Sequence, residues 1–172
     1  MLDTVGSQNQ VKVDWTEPNL NGGVLKSYTL NTYVNGAAYQ STNTTGTTTT
    51  VSLPNGTGQY TFRVIATTEV SSSDPSDASA PRRSVSKPGQ VQGVSIAPAA
   101  TGGGGGSVKV NFTPLNGTAT GGSTSGEIVY HAILISTGQD FVVTPGDTIP
   151  ARNGAAASVT LYAKSAAFAD AG

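Results

Sequence analysis

Tyr60-Thr61-Phe62-Arg63-Val64-Ile65-Ala66-Thr67 sets Tyr60, Phe62, Val64 and Ala66 on one side of an extended chain and Thr61, Arg63, Ile65 and Thr67 on the other. A period of two is the mark of a β-strand with one buried face, because successive side chains point to opposite sides of a sheet. The same period runs upstream. Residues 47–53 are threonine-rich and β-branched, which suits a pleated surface better than a helix. Residues 25–33 form the strand before, with Tyr28 and Leu30 on one face, and Asn35-Gly36 after it reads as a tight hairpin whose two central residues need positive φ. Val11, Val13 and Trp15 alternate with Lys12 and Asp14, and residues 16–23 contain Pro18 and Asn21-Gly22-Gly23, a turn by composition. Helical periodicity is almost absent. The chain is all-β.

Downstream, residues 71–81 are a Ser/Asp/Pro stretch, followed by Arg82-Arg83 and by Lys87-Pro88-Gly89, which has the punctuation of an interdomain joint. Beyond it the pattern restarts. Val11-Lys12-Val13-Asp14-Trp15-Thr16 is echoed by Val108-Lys109-Val110-Asn111-Phe112-Thr113, residues 25–30 by 128–133, and Val51-Ser52-Leu53 by Val159-Thr160-Leu161. The offsets rise along the chain, which places insertions in the second copy around 115–126 and 144–157. Two domains are therefore expected, residues 1–85 and 86–172.

Composition narrows the function. Only 11% of the 172 residues are charged, against about 25% in an average domain, and the net charge is −1. No basic field exists to hold nucleic acid or an anionic membrane surface. The 36% of apolar residues never form a run near the roughly 20 needed to span a bilayer, so no membrane insertion is expected. The absence of cysteine excludes disulfides, thiolate zinc sites and cysteine catalysis. Met1-Leu2-Asp3-Thr4-Val5-Gly6 shows neither the basic nor the apolar region of a signal peptide.

The first copy resembles a fibronectin type III domain over residues 8–84. Trp15 stands at the end of a strand before Thr16-Glu17-Pro18, Tyr28 lies in the next, and Leu53 precedes Tyr60 by seven residues. The resemblance implies a β-sandwich of about 100 residues whose Trp15, Tyr28, Leu53, Tyr60, Phe62 and Val64 fill the space between two sheets. It also implies a tyrosine corner, the Tyr60 hydroxyl bonding back to upstream backbone. In the second copy Phe112 takes the place of Trp15, Leu161 that of Leu53, and His131 falls at the position of Tyr28. Phe168 then stands for the corner tyrosine and cannot donate its hydrogen bond. On this alignment the first domain has a short or missing first strand, and the second is incomplete, lacking most of its sixth strand and its seventh. Three explanations stand: a segment of a longer chain, strands supplied by a neighbouring subunit, or a different self-sufficient topology.

No residue set carries chemistry. His131 is the one histidine and sits in the apolar strand Ile128-Val129-Tyr130-His131-Ala132-Ile133, a packed or edge residue. Asp140 and Asp147 lie in turns, as do Asp74 and Asp77, without the spaced oxygen ligands of a calcium loop. Gly102 to Gly106 is a flexible connection, since no Lys-Ser/Thr and no helix follow. Asn43, Asn55, Asn111 and Asn116 each open a glycosylation pattern, expected by chance in so threonine-rich a chain. No catalytic, cofactor-binding or metal residue is assigned, no cofactor is expected, and the chain is not expected to be an enzyme.

What the resemblance implies is a spacer, scaffold or adhesion role, in a virion or at an extracellular surface. The foremost expectation is a phage capsid decoration or tail component, because a starting Met without a signal peptide suits particles assembled in the cytoplasm. A segment of a multidomain bacterial surface or appendage protein is the alternative. An accessory module of a polysaccharide-degrading enzyme ranks last, since only Tyr33, Tyr39, Tyr130 and Tyr162 are spare aromatics for sugar rings. Expected partners are further domains of a longer chain, neighbouring subunits joined by strand addition, or a surface glycan or protein ligand.

Overall fold

The structure, a computed structural model, describes residues 3–7, 9–99, 106–151 and 157–168. The chain divides into two units, Met1–Ser86 and Lys87–Gly172.

Unit 1 contains β1 (Asp3–Ser7), β2 (Gln10–Asp14), β3 (Leu25–Val34), β4 (Ala37–Thr44), β5 (Thr48–Ser52) and β6 (Tyr60–Thr68). They form two antiparallel sheets, β1-β2-β5 and β4-β3-β6. The hairpin between β3 and β4 turns on Asn35 and Gly36 with φ of 48° and 85°, the twist a two-residue connection requires. Between the sheets Val11, Val13, Tyr28, Leu30 and Phe62 are wholly buried, joined by Trp15, Val51, Leu53, Tyr60 and Val64. The Trp15 and Tyr28 rings meet edge to face at 5.4 Å, an arrangement that adds about 0.5–1.5 kcal/mol to their burial. The Tyr60 hydroxyl donates to the Pro54 carbonyl at 3.1 Å, tying the start of β6 to the loop it leaves. The first strand is present: β1 pairs with β2 over five residues.

Unit 2 repeats this order with β7 (Gln92–Pro98), β8 (Gly106–Thr113), β9 (Ile128–Leu134), β10 (Gln139–Val143), β11 (Thr148–Ala151) and β12 (Val159–Ser165). Its sheets are β11-β8-β7 and β10-β9-β12. Position for position, β7, β8 and β11 match β1, β2 and β5, while β10, β9 and β12 match β4, β3 and β6. Both units are fibronectin type III-like β-sandwiches.

Two sequence expectations are corrected by this register. Val159-Thr160-Leu161 lies in β12 beside β9 and so matches β6, not the strand that carries Val51 and Leu53. That strand's partner is β11, where Ile149 is buried within the stretch expected to be an inserted loop. The sixth strand of unit 2 is therefore present, Leu161 corresponds to Val64 rather than Leu53, and Phe168 is no counterpart of Tyr60. The second correction is a slip of one residue. Tyr130, not His131, takes the place of Tyr28: its ring packs 4.8 Å from Phe112, and its hydroxyl accepts the Leu115 N–H at 2.7 Å. A shift of one residue reverses the face of every side chain in a strand, so His131 points outward. The connection from β8 to β9 holds the two short 3₁₀ turns Gly117–Thr120 and Ser125–Glu127.

Candidate functional site: two sheet edges and an outward polar cluster

In unit 1 the outer edge of β6 is covered by residues 71–82, which form no continuous strand. Every third residue does the pairing. Ser73, Ser76, Ser79 and Arg82 donate their backbone N–H to the carbonyls of Ala66, Val64, Phe62 and Tyr60 at 2.8–3.0 Å. At Arg82 the return bond is backbone, the Tyr60 N–H donating to its carbonyl at 2.7 Å; at the other three it comes from side chains, the hydroxyls of Ser73, Ser76 and Ser79 accepting the N–H of Ala66, Val64 and Phe62 at 3.0–3.1 Å. Each hydroxyl then donates to the carbonyl one residue on, of Asp74, Asp77 and Ala80. The physical cause is a length mismatch. Two residues of β6 rise about 7 Å, whereas three fully extended residues would span about 10 Å. The segment must wind, the carbonyls of Ser73, Ser76 and Ser79 accept nothing from β6, and a short hydroxyl takes the acceptor's role there. Pro75 is tolerated because its position donates nothing to β6.

In unit 2 the matching edge belongs to β12. Ile135 donates to the Ser158 carbonyl at 3.0 Å, which fixes the phase of the ladder. Residues directly opposite alternate between pairs that exchange hydrogen bonds and pairs that do not. Val159, Leu161 and Ala163 therefore direct both backbone groups away from β9. Among the described residues nothing pairs with them. The side chains beneath share the difference. Phe62 and Val64 are buried under the covered edge, whereas Val159 and Leu161 are only partly buried, as are Tyr130 and Phe141 in the same cluster.

The outward face of β10-β9-β12 carries a compact polar cluster. His131 Nδ1 lies 3.1 Å from Asp140 Oδ1, and the Tyr162 hydroxyl donates to Asp140 Oδ2 at 2.6 Å. The imidazole stacks on the Tyr162 ring at 4.9 Å, and Lys164 Nζ stands 5.5 Å from the same ring. The Tyr162 hydroxyl, with His131 and Lys164 adding to it against desolvation, holds the Asp140 carboxyl below the usual carboxylate range. The same hydrogen bond to Asp140 raises Tyr162. Exposed Val129, Ile135 and Val142 surround the cluster. Sequence reasoning missed it because β9, β10 and β12 bring it together only through their register.

A groove of about 700 Å³ in unit 1 is lined by Trp15, Pro18, Tyr28, Val64, Ala66 and the winding segment that covers β6. Trp15 Nε1 and the Tyr28 hydroxyl are buried and without a hydrogen-bond partner. Burial, and then the charge of Glu17, raises Tyr28.

The remaining candidates are structural. Asp147 closes a turn by accepting the N–H and hydroxyl of Thr144 and stands apart from Asp140 in the chain's hydrogen bonding. Asp74 and Asp77 belong to the segment on β6. Arg83 donates to the Gly56 carbonyl and Asn55 binds Ser84 and Ser86, while Asn43 accepts from Thr29. Gly102 to Gly105 lie outside the described residues. Of the spare aromatics, Tyr130 is in the core and Tyr162 is covered by His131. Among the described residues no group of three or more His, Asp or Glu could hold a metal ion, and no helix is long and apolar enough to cross a membrane.

No family model and no curated protein matches this chain. Solved structures with a similar course include domains d3–d4 of the rat CD45 extracellular region, at 20% identity over 46% of each chain with a TM-score of 0.41. Titin kinase with its flanking domains gives 22% identity over 65% of this chain and 26% of that one, TM-score 0.43. The chicken CNTN1 FN1–FN3 domains give 17% over 96% of this chain and 60% of that one, TM-score 0.44. The chain thus spans less than two thirds of each of these. At such TM-scores the likeness carries no argument, and the fold stands on its own sheet order and register.

Proposed function

We propose that the chain is a non-catalytic structural module of a virion, a phage capsid decoration or tail component that serves as scaffold, spacer or host-surface adhesion element. Its fold is that of a structural or adhesion-type module. The observation that carries the reading is the edge of β12, where the outward backbone groups beside the partly buried side chains of Val159 and Leu161 meet no partner among the described residues. A long open edge is an aggregation hazard for a free protein and an asset for one that takes its place in an assembly. The charge-poor surface agrees with this, since like-charge repulsion between closely set copies is small.

Gradient fractionation of a particle-producing culture, with an antibody against this chain, tests the reading. Stoichiometric co-migration with intact particles is expected. Recovery from the soluble or cell-wall fraction, with particles free of it, refutes the virion role.

A further inference from the structure

Between Lys26 and Arg63 the chain carries no charged residue. That stretch includes β4 and β5, the terminal strands of the two sheets of unit 1, and β4 is an eight-residue edge without proline or glycine. Proteins keep such edges from pairing by shortening them, charging them or setting proline in them. Unit 2 does so on the matching strands: β10 has five residues and holds Asp140, and β11 has four and holds Pro150. Unit 1 has no such guard. Residues 35–47 are all described, so the β4 edge is open with its flanking chain in place, and among the described residues nothing pairs with it on the side away from β3. We propose that β4 is the interface of a two-fold dimer, in which two copies of this chain join their β4 edges as antiparallel neighbours about an axis at Thr42.

The phase of the ladder selects that register. Asn35 donates to the Gln59 carbonyl at 2.9 Å, which makes them a bonded pair. By alternation the backbone of Tyr28, Leu30 and Thr32 then turns toward β4. Their partners Thr44, Thr42 and Gln40 bond inward, and Ser41 and Asn43 between them aim both backbone groups outward. An axis at Thr42 sets Ser41 of one copy opposite Asn43 of the other, and each such pair exchanges N–H···O bonds in both directions. The same axis sets Thr42 against Thr42 and Gln40 against Thr44, uncharged polar side chains suited to cross-strand contact. A self-complementary patch is what an isologous two-fold contact requires. A second copy brings the matching phase by construction, no charge on either β4 opposes the approach, and two three-stranded sheets become one. The pairing concerns copies of the chain in any setting and stands apart from the virion role.

Sedimentation equilibrium of the whole chain, from about 10 μM to about 1 mM, reads the association, and amide hydrogen exchange at both ends of that range locates it. A monomer–dimer equilibrium is expected, with the Ser41 and Asn43 amides exchanging at least about tenfold more slowly in the dimer. The Thr42 amide, already bonded to β3, is the internal reference and should change little. Thr42→Lys opposes two like charges across the axis and should weaken association at least about tenfold. Thr42→Asp should do the same, and an equimolar mixture of the two variants should dimerise again. Ser41→Pro deletes an outward donor at an edge position where proline is tolerated and should weaken association as much, with the urea midpoint of Trp15 fluorescence confirming that unit 1 is folded. Four results overturn the proposal: a monomer at about 1 mM, a dimer whose protection falls on another strand, Ser41 and Asn43 amides already protected in the dilute monomer, or a Lys/Asp mixture that stays monomeric.

Discussion

Replacing Ser79 by alanine isolates the device that seals the edge of unit 1. The hydroxyl accepts the Phe62 N–H at 3.1 Å and donates to the Ala80 carbonyl at 3.0 Å, and the residue is 9% exposed. Alanine fits the same space but leaves a buried strand N–H without an acceptor, at a cost of about 1–3 kcal/mol. Ser76→Ala and Ser73→Ala should cost less, about 1–2 kcal/mol each, because their bonds are only partly buried. Ser72→Ala is the control: its hydroxyl meets Thr67 at the exposed surface, and its loss should stay within about 0.5 kcal/mol. The one tryptophan, Trp15, lies in the core of unit 1, so its fluorescence in urea reads that unit alone. The Ser79→Ala midpoint should fall with an unchanged slope, as expected when stability but not the surface exposed on unfolding changes. The thermal midpoint should drop by about 4–8 °C per kcal/mol. A Ser79→Ala midpoint that moves no further than that of Ser72→Ala would show that the hydroxyls carry no stability and that the segment is held by its N–H bonds alone.

Thr32→Val should stabilise unit 1 by about 1 kcal/mol. The Thr32 hydroxyl is buried at 1% exposure without a partner, and valine keeps the shape while removing the unsatisfied group; a lower Trp15 midpoint contradicts this. Tyr60→Phe and Tyr130→Phe should each cost about 1–2 kcal/mol, the first freeing the Pro54 carbonyl and the second the Leu115 N–H. Only Tyr60→Phe should shift the Trp15 transition, while Tyr130→Phe shows in the far-ultraviolet melt. Asp140 is held below its ordinary range in the folded state, so the stability linked to it is present above about pH 4 and is lost as pH falls through its lowered value. Tyr162→Phe should return the Asp140 carboxyl resonance toward ordinary titration, and an unaltered curve refutes the role of that hydroxyl.

Strand positions were legible in the sequence wherever one face is buried, because a period of two survives any detail of packing. The limits lay in register and in pairing by side chains. Val159-Thr160-Leu161 looks like Val51-Ser52-Leu53 since both alternate, yet only the neighbour across the ladder tells a β5 strand from a β6 strand. The true partner of β5 hid in Thr148–Ala151, where Pro150 reads as loop; β11 is an edge strand, and there proline breaks no needed bond. Tyr130 and His131 are adjacent, and the apolar run around them gives no alternation to decide which faces in. The serine spacing of 73, 76 and 79 was visible as letters but not as structure, because a three-residue period matches neither strand nor helix.

Duplication lets one unit serve as the control for the other. The sheet order is the same, the two tyrosines hold the same place, and Ala66 and Ala163 are equally buried at 5% and 8%. The difference in exposure between Phe62 and Val159, or between Val64 and Leu161, therefore does not follow from the fold. Residues 71–82 lie on the edge outside Phe62 and Val64, and among the described residues nothing lies on the edge outside Val159 and Leu161. In unit 1 the segment over that edge contributes no large apolar side chain and still brings the residues beneath it to 0–8% exposure, so it acts by excluding water and pairing the backbone. The sequence from 73 to 79, with no residue larger than proline or aspartate, shows how little side-chain chemistry the cover of a sheet edge needs.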